Sequence, residues 1–131
     1  MKETQQKYME LQVLDQQMKQ LQQHLMETDA KTQQLEQIIK DLQDIQQVKE
    51  GTDILVPLAG GIFVKGNIGA TDKLLVNVGS NVNVEKDVPA IVDIIKHQIK
   101  QMHDVQQTLQ SQFTAFSEQF AKLQQDISKD V

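Results

Sequence analysis

The sequence predicts an α+β fold: a long antiparallel two-helix coiled coil with two β-hairpins inserted between the helices, the hairpins forming an inter-subunit β-barrel. Three observations predict it. Residues 4–49 and 87–128 contain no glycine and repeat their apolar residues in heptads. The stretch between them, 51–87, carries the glycines, one of the two prolines and two dense runs of β-branched residues. Those runs are too short to bury their own apolar faces, so they need other copies to close around them.

Composition bounds the function classes. The 131 residues are enough for a single domain, 1–131. Yet aromatic residues are only 4 %, cysteine and tryptophan are absent, and 23 residues are glutamine. Such a chain suits helical seams better than a large globular core. Without cysteine there is no disulfide, thiolate chemistry or cysteine-based zinc site. The formal charge is −5 and every one of the thirteen cations is lysine, interspersed with acids. Arginine supplies the bidentate contacts to phosphate and guanine, so its absence argues against nucleic acid as a partner. No run of eighteen apolar residues exists to span a membrane, and MKETQQKYME lacks the apolar core of a signal peptide. A cytoplasmic location is the expectation.

The first helix is expected over 4–49. Leu11, Leu14, Met18, Leu21, Leu25, Thr28, Thr32, Leu35, Ile39 and Leu42 form one seam in alternating steps of three and four. Ile38, Ile45 and Val48 widen its apolar face toward the end, and Gly51 stands where a C-cap glycine is expected. At about 1.5 Å per residue the helix would be roughly 70 Å long.

The β insert is expected over 52–86. Ile54, Val56 and Leu58 alternate with Leu55 and Pro57, then Ala59-Gly60-Gly61 turns the chain into Ile62-Phe63-Val64-Lys65. Pro57 lacks a ladder donor and fits an edge or a bulge. After a linker, Leu74, Val76 and Val78 alternate, Gly79-Ser80-Asn81 turns, and Val82 and Val84 follow. The oligomerisation residues are therefore Ile54, Val56, Leu58, Ile62, Phe63, Val64, Leu74, Val76, Val78, Val82 and Val84. An insert of this kind reads as an assembly device rather than a binding pocket.

The second helix is expected over 87–128, with Asp87 as N-cap and Pro89 in the first turn. Two heptad series interleave: Ile95, Met102, Leu109, Phe116, Leu123, and Val92, Ile99, Gln106, Phe113, Phe120, Ile127. If the helices return on each other, Gln106 falls beside Thr28 and Thr32. A shared polar layer of that kind would fix the register.

The order helix, hairpin, hairpin, helix resembles prefoldin, specifically its α class. The residues that carry the resemblance are Asp53-Ile54-Leu55-Val56-Pro57-Leu58, Phe63-Val64, Lys65-Gly66, Thr71-Asp72-Lys73-Leu74-Leu75-Val76-Asn77-Val78-Gly79 and Val82-Asn83-Val84-Glu85-Lys86. The β class of that family has one hairpin, so two hairpins point to α. The resemblance extends along the whole chain, making 1–131 a single prefoldin-like domain, although only the insert is specific at residue level. Asn83 departs from the pattern, since similar chains often carry an aromatic residue there. The resemblance implies an ATP-independent co-chaperone of archaea and eukaryotes. It implies two α-type with four β-type prefoldin subunits joined through their hairpins into a double barrel. It further implies tips that hold unfolded client proteins and deliver them to a group II chaperonin.

Both termini would lie at the free end of the helical pair. There the candidate client-binding residues are Tyr8, Met9, Leu11, Val13, Phe113, Phe116, Phe120, Leu123 and Ile127. The three phenylalanines, at heptad positions, read equally well as ordinary seam residues; Tyr8, Met9 and Val13 do not fit a seam. His24, His97 and His103 have no ligand spacing, and Gly60-Gly61 is a turn rather than a nucleotide loop. Glu27, Asp29, Glu36, Asp41 and Asp44 read as a solvated face pairing with Lys31 and Lys40. No nucleophile–base arrangement, cofactor or metal site is expected, and the chain does not read as an enzyme. Two other readings remain: a structural or filament-forming coiled-coil adaptor without holdase activity, and a coiled-coil hairpin of the periplasmic-adaptor kind. The second needs export and more flanking β structure.

Overall fold

Helix formers fill every gap between the apolar positions, so α-helix is the conformation that gathers those positions onto one stripe. A computed structural model describes residues 2–130 and contains α1 (Lys2–Gln46), β1 (Asp53–Pro57), β2 (Phe63–Asn67), β3 (Lys73–Asn77), β4 (Asn83–Asp87) and α2 (Val88–Asp130). The ten seam positions of α1 from Leu11 to Leu42 are all withdrawn from solvent, and most of their neighbours are exposed. Both heptad series of α2 are withdrawn in the same way. By contacts the chain divides into two units, one containing residues up to Gln33 and from Lys100 onward, the other Gln34–Ile99.

In the first unit the opening turns of α1 lie with the closing turns of α2. Leu11 shares a groove with Ile127, and Leu14 shares another with Leu123. That is the antiparallel arrangement, in the expected register. Thr32 and Ile127 are buried. The Thr32 hydroxyl donates to the Thr28 carbonyl at 2.9 Å, and the Thr28 hydroxyl to the His24 carbonyl at 2.6 Å. Both hydroxyls are thus satisfied by their own helix and demand no polar partner across the seam.

The second unit has its core at Leu35, Val88, Ile91 and Ile95. Here α1 stops at Gln46, short of the expected Lys49. The chain tightens first: the Gln47 N–H donates to the Asp44 carbonyl at 3.0 Å and the Val48 N–H to the Ile45 carbonyl at 3.2 Å. Thr52 then closes onto the Lys49 carbonyl through its N–H at 3.2 Å and its hydroxyl at 2.6 Å. Gly51 is not the C-cap. At φ +90° it donates its N–H to the Ile68 carbonyl at 2.8 Å, and Ile68 donates to Thr52 at 2.9 Å. Gly51 therefore belongs to the root of the first hairpin, which the ladder extends backward.

The hairpins are two separate antiparallel sheets, with Val56 opposite Val64 in one and Val76 opposite Val84 in the other. In place of the expected three-residue loops, each closes through a two-residue turn next to a one-residue bulge. The Ile62 N–H donates to the Ala59 carbonyl at 3.0 Å around Gly60 and Gly61, which lie at φ +57° and +79°. Positive φ at both central positions is the type I′ geometry that matches strand twist. Leu58 also bonds Ile62, at 2.9 Å, so Leu58 and Ala59 together oppose one residue. The second turn repeats this bond for bond, twenty residues later, around Ser80 and Asn81 at φ 50° and 61°. The side chain of Asn77 accepts the Gly79 N–H at 2.9 Å and steadies the approach to it. Asp87 ends β4 and caps α2 as expected, its carboxylate accepting the Ala90 N–H at 2.9 Å.

Candidate functional site

Alternation along a strand sends successive side chains to opposite faces, so the register assigns each residue to a face. In β1–β2 one face carries Ile54, Val56 and Val64. Gly66 shares it: a Cβ there would lie 3.8 Å from Ile54 Cγ1 and 4.0 Å from Val56 Cγ2. The other face sets Pro57 against Phe63 and Leu55 against Lys65. The first face is apolar throughout; on the second, the apolar group Leu55, Pro57 and Phe63 sits beside Lys65 and the Asp53–Asn67 pair. The second hairpin differs. Leu74, Val76 and Val84 occupy one face together with Lys86, which stands opposite Leu74, while the other sets Lys73 against Asp87, Leu75 against Glu85 and Asn77 against Asn83.

Of the residues assigned to oligomerisation from sequence, Ile54, Val56, Leu58, Ile62, Phe63, Val64, Val78, Val82 and Val84 are exposed in the single chain, and Leu74 and Val76 are half-buried. Leu55 and Leu75 were not among them, yet both are exposed, at 62 % and 71 %. Picking out the alternating set hid them; the signal was their size at the intervening positions. With only two strands in each sheet, both edges of both hairpins stay open to further pairing.

At the other candidate surface, in the first unit, α1 presents Tyr8, Met9 and Val13 at 52 %, 66 % and 53 % exposure. Leu11, Phe113, Phe116, Phe120 and Leu123 sit half-buried on the seam, and Ile127 is buried at 6 %. The structure therefore separates the nine residues into three on the open surface and six that pack the helices. Two grooves flank the exposed residues. Tyr8 and Leu11 form one with Gln124, Gln125, Ser128 and Lys129; Met9, Val13 and Leu14 form a more apolar one with Glu10 and Gln119.

The polar surface is built from short-range amide–carboxylate pairs. Gln23 donates to Glu27 at 3.3 Å, Gln33 to Asp29 at 3.2 Å and Gln37 to Asp41 at 3.0 Å, all four residues apart. Glu27, Asp29 and Asp41 take glutamine partners, although Lys31 stands four residues from Glu27; an i,i+4 ion pair does form on the same helix between Lys19 and Asp15, at 3.0 Å. Among the described residues there is no cluster of metal-ligating side chains, no buried side-chain polar atom without a partner, and no helix long and apolar enough to cross a membrane.

Two antiparallel helices with paired seams, two hairpins between them, open sheet edges and exposed apolar faces define a class of coiled-coil proteins whose surfaces meet other polypeptides. The prefoldin family model, described as prefoldin subunit, matches residues 14–131, and the chain belongs to that family. Relatives are alpha subunits. The chain is 28 % identical to prefoldin subunit alpha of Archaeoglobus fulgidus over 97 % of its own length and 93 % of the relative's. It is 30 % identical to the Methanococcus aeolicus alpha subunit over 98 % of this chain and 85 % of that one. In fold it matches a chain from the cryo-EM structure of filamentous PFD from Methanocaldococcus jannaschii. That match has a TM-score of 0.75 at 22 % identity and covers 86 % of this chain and 93 % of the other.

Proposed function

We propose that this chain is the two-hairpin subunit of an ATP-independent co-chaperone of the cytoplasm. Its hairpins join single-hairpin, beta-type prefoldin subunits, two alpha with four beta, in a closed β-barrel. Its helical ends hold unfolded proteins and pass them to a group II chaperonin. The observation that carries this reading is that each of the two units exposes an apolar surface of its own. One lies on strands with unpaired edges, which suits permanent assembly. The other lies on helix surface at Tyr8, Met9 and Val13, where side chains of varied shape suit changing partners.

The test replaces Tyr8, Met9 and Val13 together by serine in the full chain, combined with a single-hairpin partner. Suppression of aggregation of an unfolded test protein is expected to fall strongly while the mass of the complex stays the same. Undiminished suppression overturns the assignment of the client surface. A second reading, a filament-forming structural protein, draws on the filamentous assembly of the Methanocaldococcus jannaschii neighbour. An open-ended polymer without holding activity would favour it over a closed complex.

A further inference from the structure

The chain has no cysteine and no tryptophan, so thioether sulfur is its softest, most readily oxidised group. It has five methionines. Four lie within the described helices, and they fall into two classes. Met18 and Met102 are seam residues, half-buried between the helices. Met9 and Met26 are off the seam, at 66 % and 73 % exposure. Nothing in the packing of a heptad helix calls for an apolar side chain at either off-seam position. Met9 differs from Met26 in its setting: it lies between Tyr8 and Val13, both exposed, and lines the groove formed with Leu14 and Gln119.

We propose that Met9 is a peroxide-sensitive modification site whose oxidation turns off the apolar surface at this end of the helices. A lone pair on the thioether sulfur attacks one oxygen of hydrogen peroxide and the O–O bond breaks. A sulfur–oxygen bond forms and, after proton transfer, water leaves; sulfur is oxidised by two electrons and the peroxide is reduced by two. The product is a methionine sulfoxide, polar and chiral where the thioether was flexible and apolar, and open to reversal by sulfoxide reductases. Met26 is oxidised just as readily without consequence, because among the described residues no other large apolar side chain is exposed within a turn of it to make a holding surface. Seam methionines react more slowly, since the helix pair must open to admit peroxide.

The effect on holding rests on the reading of Tyr8, Met9 and Val13 as a client surface. The full chain, in the oligomer it forms in solution, is treated with limiting hydrogen peroxide. Each methionine is followed by peptide mass spectrometry and aggregation suppression is measured before and after. Met9 and Met26 are expected to oxidise ahead of Met18 and Met102. Holding should weaken about tenfold, the loss of roughly one buried apolar side chain. Each variant serves as its own reference: Met26→Leu should lose holding on treatment as the unmodified chain does, whereas Met9→Leu should lose little of what it had. Equal oxidation rates for the four methionines overturn the site. Strong holding that survives complete Met9 oxidation overturns the switch while leaving the client surface standing. No holding before treatment overturns the client surface and the switch with it.

Discussion

Phe63 offers a direct measure of whether the second face of the first hairpin is covered in the assembled protein. In the single chain it is 56 % exposed, opposite Pro57. Full burial of such a side chain contributes about 1.5–3 kcal/mol, so covering the exposed fraction contributes roughly 0.8–1.7 kcal/mol. Phe63→Ala should therefore weaken assembly with a single-hairpin partner roughly four- to twentyfold. The ring is not part of the buried core at Leu35, Val88, Ile91 and Ile95, so helix content of the isolated chain should hardly change. Mass measurement across a dilution series, beside circular dichroism of the same samples, gives both quantities. Assembly at unchanged concentration would refute the claim that this face is covered. Loss of helix with loss of assembly would show instead that the ring supports the fold of the chain.

Other substitutions probe the local arguments. Asp87→Ala removes the carboxylate that accepts the Ala90 N–H and should lower stability by about 1 kcal/mol in thermal unfolding, with Asp87→Asn losing less. Thr32→Val exchanges a buried hydroxyl for a methyl without orphaning the Thr28 carbonyl, which is already used within the helix. It should raise the melting temperature, by about 0.5–1 kcal/mol in stability, and a decrease would mean that the hydroxyl serves a partner beyond its own helix. Gly61→Val forces a β-branched residue into φ +79° and should cost on the order of 1–2 kcal/mol. Ser80→Gly relieves the same strain in the second turn and should tighten that hairpin, read as slower amide exchange in β3 and β4.

Much of this architecture was legible in the sequence because it rests on periodicity. The seam from Leu11 to Leu42 and both series of α2 are withdrawn from solvent as the heptad spacing predicts, and Asp87 caps where an acid before a proline-containing first turn should. What escaped depended on competition between partners. Gly51 read as a cap because a glycine after a helix commonly is one, but the Ile68 carbonyl, seventeen residues on, captured its N–H. The bulges at Leu58-Ala59 and Val78-Gly79 follow from which carbonyl each N–H reaches, which spacing alone does not encode. At the helical ends, heptad position separated seam residues from surface residues correctly at Tyr8, Met9 and Val13. Ile127 shows the limit: near a terminus a seam residue need not fray, and this one is buried.

The exact twenty-residue repetition gives the chain one strand-turn-strand pattern twice, with Val56 opposite Val64 in the first copy and Val76 opposite Val84 in the second. Each copy has two strand edges, so the chain offers four places at which a further strand can add. A strand joined to one hairpin leaves the edges of the other available, and the repeat thus doubles the points of attachment without lengthening any strand.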